Sequence, residues 1–182
     1  MTALRPTPGQ TIGPFYGFAL PYPGGPDLVP PGRAGAIRLH GRVLDGAGEP
    51  VPDALIELWQ TSPEGEIIQR PGSLRRDGWT FTGWGRCSTD DTGTYSFTTL
   101  RPGGPRPFFA LTVFARGLLD RLFTRAYVPG PGLDSDPLLS AVPAERRDTL
   151  IAQPDDDGYV FDIHLQGERE TVFLIYPGQP GR

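Results

Sequence analysis

Between Phe108 and Phe114 the chain reads FFALTVF, apolar but for one threonine, with Pro102, Gly103, Gly104, Pro105 and Pro107 just upstream. Seven residues behind such a series of breakers are too few for a stable helix, and phenylalanine and valine favour extended backbone. The run predicts a strand buried on both faces, at the centre of a sheet or sandwich. It holds no metal ligand, no nucleophile and no base.

The rest of the chain is punctuated in the same way. Its 182 residues include 25 glycines and 22 prolines, spread between short β-branched and aromatic runs rather than gathered in one tract. That distribution fits a loop-rich β domain, long enough to bury one core. Residues 1–35 form a proline- and glycine-rich arm carrying Phe15, Tyr16, Phe18, Leu20 and Tyr22, and residues 36–182 form the body. The arm cannot build a sheet of its own, so its aromatics pack back on the body or dock on a partner.

From Ile37 the pattern alternates. Ile37, Leu39, Gly41 and Val43 share one face, and Arg38, His40 and Arg42 the other. Further strands are expected over 54–59, 80–88, 95–99, 122–128, 159–165 and 171–176, with turns at Asp45-Gly46 and Asp90–Gly93. Pro143–Ile151 is the one helical candidate. Seven or eight short strands and one short helix describe an all-β chain, an antiparallel β-sandwich with long loops.

Residue chemistry alone offers little. His40 and His164 occupy the polar phase of separate strands, where surface positions are the ordinary outcome and a shared metal the rare one. Cys87 has no activating neighbour in sequence, and a lone cysteine fits a reducing compartment such as the cytoplasm. Asp155–Gly158 lacks the ligand spacing of a calcium loop and reads as a solvated turn. The net charge of −4 gives no electrostatic footprint for nucleic acid or an anionic membrane. No stretch reaches membrane-spanning length, and the N-terminus lacks a signal-peptide pattern.

Several blocks together resemble a known family. They are TPGQTIGPF (7–15), GRVLDGAGEPVPDALIELWQ (41–60), FTGWGRCSTDDTGTYSFTTLRPG (81–103), ERRDTLIA (145–152) and YVFDIHLQGERETVF (159–173). In this order they are similar to the intradiol ring-cleaving dioxygenases, in the branch that acts on protocatechuate. The middle block alone also fits a stand-alone transthyretin-like binding domain, which shares the P-V-x-x-A-x-I-x-x-W cadence. A third alternative is a self-sufficient dioxygenase with relocated ligands.

The resemblance implies a sandwich of the intradiol type and a non-haem Fe(III) held by two tyrosines and two histidines. In this chain the first tyrosine position, after Gly65-Glu66, is Ile67. The second falls at Pro105, and the H-x-H pair falls at Phe108 and Ala110. None of the four is a ligand, so the resemblance implies an iron-free alpha-type subunit. Its partner would be an iron-bearing beta subunit that opens protocatechuate with O2 to 3-carboxy-cis,cis-muconate, in hetero-oligomers of alpha–beta pairs. FARGLLDRLFTRAYVPG (114–130) and the T-x-G-P arm support that assignment. By resemblance, Thr11, Gly13 and Pro14 approach the substrate and its carboxylate in the partner's pocket, and Arg125 lies near the same cleft. This chain would contribute no catalytic and no metal-binding residue.

Overall fold

Strand β1 (Ala36–Leu44) keeps the alternation of its sequence: Leu39 and Val43 are fully buried, while Arg38 and Arg42 face solvent. The computed structural model describes residues 16–70 and 74–176. After a four-residue helix α1 (Tyr16–Ala19) and β1 come β2 (Leu55–Trp59), β3 (Trp84–Ser88), β4 (Thr94–Leu100), β5 (Phe108–Phe114) and β6 (Leu122–Tyr127). Helix α2 (Pro137–Ala141), two 3-10 segments (Leu133–Ser135 and Ala144–Leu150) and the short strands β7 (Gln153–Pro154), β8 (Gly158–Val160) and β9 (Ile163–His164) complete the fold. No helix among the described residues is long and apolar enough to cross a membrane.

The strands form two facing sheets. One has the order β4-β1-β8-β7, with β9 also on β1; the other has the order β3-β2-β5-β6. Inward side chains of both meet in one core, including Leu39, Phe97, Ile56, Leu58, Phe109 and Leu111. Tyr22–Val29 closes one side of the sandwich. Arg86 N–H bonds the Gly25 carbonyl at 3.0 Å, and Leu28 N–H bonds the Thr98 carbonyl at 2.8 Å, so the segment ties β3 to β4. Leu28 and Val29 of this segment lie in the core.

The all-β sandwich is as expected, with five corrections of detail. First, β5 is buried on one face only. Phe109, Leu111 and Val113 point into the core, while Phe108, Ala110, Thr112 and Phe114 are half-buried on the outward face. A small satellite cluster of Tyr127, Leu139, Val142 and Leu150 covers only the Phe108 end. Second, β8 and β9 both run parallel to β1, so that sheet is mixed rather than antiparallel.

Third, the alternating run 159–165 is broken in two. At the break the Phe161 amide bonds the His40 carbonyl at 2.8 Å, and the Phe161 carbonyl accepts the buried Tyr95 hydroxyl at 2.6 Å. Gly41 makes room for this approach: a Cβ there would stand 2.1 Å from the Phe161 oxygen. Gly41→Ala should therefore displace backbone and lower stability by about 1–3 kcal/mol. Urea denaturation checks this, and an unchanged midpoint would contradict the packing described.

Fourth, 171–176 is not a strand. Its bonds are divided between the sheets, Thr171 N–H to the His164 carbonyl and Leu174 N–H to the Phe123 carbonyl, so no continuous ladder forms. Fifth, the 144–150 helical segment is 3-10, opened by an Arg146 N–H bond to the Pro143 carbonyl. An α-helix, α2, stands just before it, at Pro137–Ala141. Asp136 caps it, accepting from the Leu138 and Leu139 amides, and Pro137 occupies its first turn.

Candidate functional site

The outward face of the second sheet gathers the residues of interest. Antiparallel register sets Trp84, Trp59, Ala110 and Arg125 side by side across four strands, with Phe108 opposite Tyr127. All six project outward, because each alternates with an inward core residue. The Arg125 guanidinium lies over the Phe108 ring, 4.1 Å from its centroid. Its Nη1 donates to the Tyr127 hydroxyl at 3.1 Å, which donates in turn to Asp136 Oδ1 at 3.1 Å. Burial pushes the Tyr127 phenol up from its ordinary value, only partly offset by Arg125, so it stays protonated at neutral pH.

Beside this row is a cavity of about 250 Å³, reached by Trp59, Gly65, Pro105, Phe108, Arg125 and Asp136. Two loops make its wall. Gly103 N–H bonds the Ser62 carbonyl at 2.9 Å, and the Thr61 hydroxyl donates to the Gly103 carbonyl at 3.0 Å. A Cβ at Gly103 would meet the Pro63 oxygen at 2.0 Å, so only glycine allows the loops this close. Gln60 anchors them from below. Fully buried, it donates to the Leu100 carbonyl at 2.8 Å and accepts the Thr99 hydroxyl at 2.6 Å, joining β2 to the opposite sheet.

The other sequence candidates lie elsewhere. The His40 ring pairs with Asp155 at 2.6 Å, and hydrogen bonding to His40 holds the Asp155 carboxyl below its ordinary range. His164 is opposite Leu44, four residues along β1 from His40, about 13 Å at strand rise. The two histidines do not share a metal site. Burial drives the Cys87 thiol up, which makes it a poor nucleophile. Thr11, Gly13 and Pro14 lie outside the described residues. The chain enters the described fold with Gly17 packed on the Asp53 backbone, beyond the start of β2 and away from Trp59 at its end.

A family model described as Dioxygenase matches residues 26–108. The protocatechuate 3,4-dioxygenase alpha chain of Burkholderia cepacia is 35% identical over 197 residues, covering 96% of this chain and 99% of that one. The chain belongs to the protocatechuate 3,4-dioxygenase alpha-chain family, within the intradiol dioxygenases. The protocatechuate 3,4-dioxygenase beta chain of Burkholderia cepacia is 36% identical over 158 residues, covering 74% of this chain and 66% of that one. The solved dioxygenase domain of a dioxygenase–carbohydrate-binding fusion from Streptomyces sp. SirexAA-E superposes with a TM-score of 0.59. It is 26% identical and covers 90% of this chain and 99% of that structure.

Of the four positions that the resemblance assigns to iron ligands, Pro105 and Phe108 line the cavity, Ala110 lies between Trp59 and Arg125 on the same sheet face, and Ile67 is exposed. Their side chains do not fit a ferric ion. Phe108, Ala110, Pro105 and the exposed Ile67 have no donor atom, and the nearby Tyr127 is a protonated phenol already bonded to Arg125 and Asp136. Among the described residues no group of three or more His, Cys, Asp or Glu is placed to hold a metal.

The contacts that hold Arg125 are not legible in the sequence. Phe108, Tyr127 and Asp136 fix the guanidinium, and Gln60 fixes the cavity wall. Only Asp136 left a signal in the sequence, the Asp-Pro pair of a helix start.

Proposed function

We propose that this chain is the non-catalytic alpha-type subunit of a heteromeric protocatechuate 3,4-dioxygenase, paired with a beta-type partner that holds the non-haem iron. The observation that supports this most is the lack of any donor atom in the side chains of Ile67, Pro105, Phe108 and Ala110, in a chain similar to alpha chains. The matched beta chain supports an alpha–beta assembly.

On this reading Thr11, Gly13 and Pro14 help wall the partner's substrate pocket and exclude water from it. Arg125 supplies fixed positive charge that steers the anionic substrate toward the shared cleft. Exposed apolar side chains at Ile67, Trp79 and Leu119 are the kind of surface that a partner covers. A cytoplasmic location follows from the same reading.

Expression of this chain alone and together with a beta-type partner tests the proposal. Protocatechuate turnover is expected only from the pair, co-purifying as a hetero-oligomer. Turnover by the chain alone would overturn it, and a stable chain with no affinity for a beta-type subunit would favour a stand-alone binding domain.

A further inference from the structure

A second cleft, of about 350 Å³, shares no lining residue with the cavity beside Arg125. It lies between the 3-10 segment Ala144–Leu150, the strands β7, β8 and β9, and the chain return at 168–171. Hydrogen bonds fix its walls. Arg146 Nη2 donates to the Glu170 carbonyl at 2.7 Å, the Thr149 hydroxyl accepts the Val172 amide at 3.2 Å, and Asp162 Oδ1 accepts the Arg42 amide at 2.8 Å. Buried Phe161 and Thr171 form its floor, and Thr171 Oγ1 holds the His164 amide at 3.0 Å.

The charges around this cleft do not answer one another. Glu145, Asp148, Asp162 and Glu168 are exposed and stand at the rim, as does Arg169, while Arg146 and His164 are half-buried deeper in. No two of these groups form an ion pair. Arg146 Nε is sealed from solvent without an acceptor, and the His164 ring makes no hydrogen bond among the described residues. A buried donor left unpaired calls for an explanation in a native fold. Burial, aided by Arg169 and opposed by Asp162, holds the His164 imidazole below its ordinary value, so it is neutral at pH 7 with an acceptor nitrogen to offer. Four carboxylates against two guanidiniums leave the lining net negative, which sets this cleft apart from a site for an anionic substrate.

We propose that this cleft binds a free basic amino acid, its carboxylate on Arg146 and its ammonium groups on the rim carboxylates. Unpaired charge of opposite sign at two depths matches a molecule that carries both signs, and the negative excess matches its additional ammonium. A guanidinium held by its bond to the Glu170 carbonyl is oriented before the ligand arrives. Ile151, Val160 and Phe161 give apolar surface along which a methylene stem can lie. The volume falls within the usual range of small-molecule sites. This site is separate from the subunit reading and does not depend on it.

Equilibrium dialysis of the alpha–beta pair with radiolabelled L-lysine tests it, with cadaverine and adipate as competitors. One saturable lysine per pair is expected. Cadaverine, which lacks the carboxylate, should compete about tenfold less well than unlabelled lysine, and adipate, which lacks the ammonium groups, should not compete. Arg146→Met should abolish binding, and Glu168→Gln, at the exposed rim, should weaken it about threefold. Absence of saturable binding, competition by adipate equal to that by lysine, or unchanged affinity in either folded variant would overturn the proposal. Thermal melts show which variants fold; if Arg146→Met does not, Glu168→Gln decides the matter. If no pair forms, the same dialysis on the full chain alone gives the answer, so this proposal and the subunit reading fail separately.

Discussion

Removal of residues 1–15 is expected to raise the KM for protocatechuate in the assembled pair by about thirtyfold while leaving the partner's iron in place. Loss of about 2 kcal/mol of substrate contact corresponds to that factor at 1.4 kcal/mol per factor of ten. The cut spares the point where the chain anchors to the sandwich. Gly17 stays packed on Asp53, and the Leu20 carbonyl still accepts from Arg86 at 3.0 Å. A longer deletion would confound loss of the arm with loss of that anchor. Weakened pairing should accompany the kinetic change, because the proposed role of the arm sets it against the partner. Unchanged KM and unchanged pairing would remove the arm from the site.

The second large effect separates two adjacent phenylalanines. Phe109→Ala is expected to cost about 3–5 kcal/mol, the range for emptying a fully buried aromatic position. Phe108→Ala should cost about 1 kcal/mol or less through lost packing, and it should free the Arg125 guanidinium from its ring contact. Paired denaturation curves check the contrast. Equal losses would mean that β5 is buried on both faces, as its sequence alone suggested.

That ambiguity shows where sequence stops being informative. Alternation in β1 read correctly because Arg38, His40 and Arg42 mark the outer face. In FFALTVF both faces are apolar, so periodicity could not say which phenylalanine faces the core. The break at Phe161 depends on Gly41, some 120 positions earlier, and on the Tyr95 hydroxyl, a three-way contact that no local pattern encodes. Parallel pairing of β8 and β9 with β1 is equally a matter of chain return, not of propensity.

The candidate site was legible in one respect only. Family blocks pointed to four positions, of which Pro105 and Phe108 line the cavity. What the cavity keeps instead, a guanidinium on an aromatic plate, a neutral phenol and a capped carboxylate, depends on contacts between β5, β6 and α2. Buried Gln60 looked like any polar residue after a strand, yet it makes the bridge that sets the wall.

Iron stoichiometry tests the central claim most directly. Metal analysis and electron paramagnetic resonance on the chain alone, and on the pair with its beta-type partner, should give no bound ferric ion in the first and one per alpha–beta pair in the second. A ferric signal from the chain alone, or two irons per pair, would contradict a cavity lined by Pro105 and Phe108 that has lost its donors.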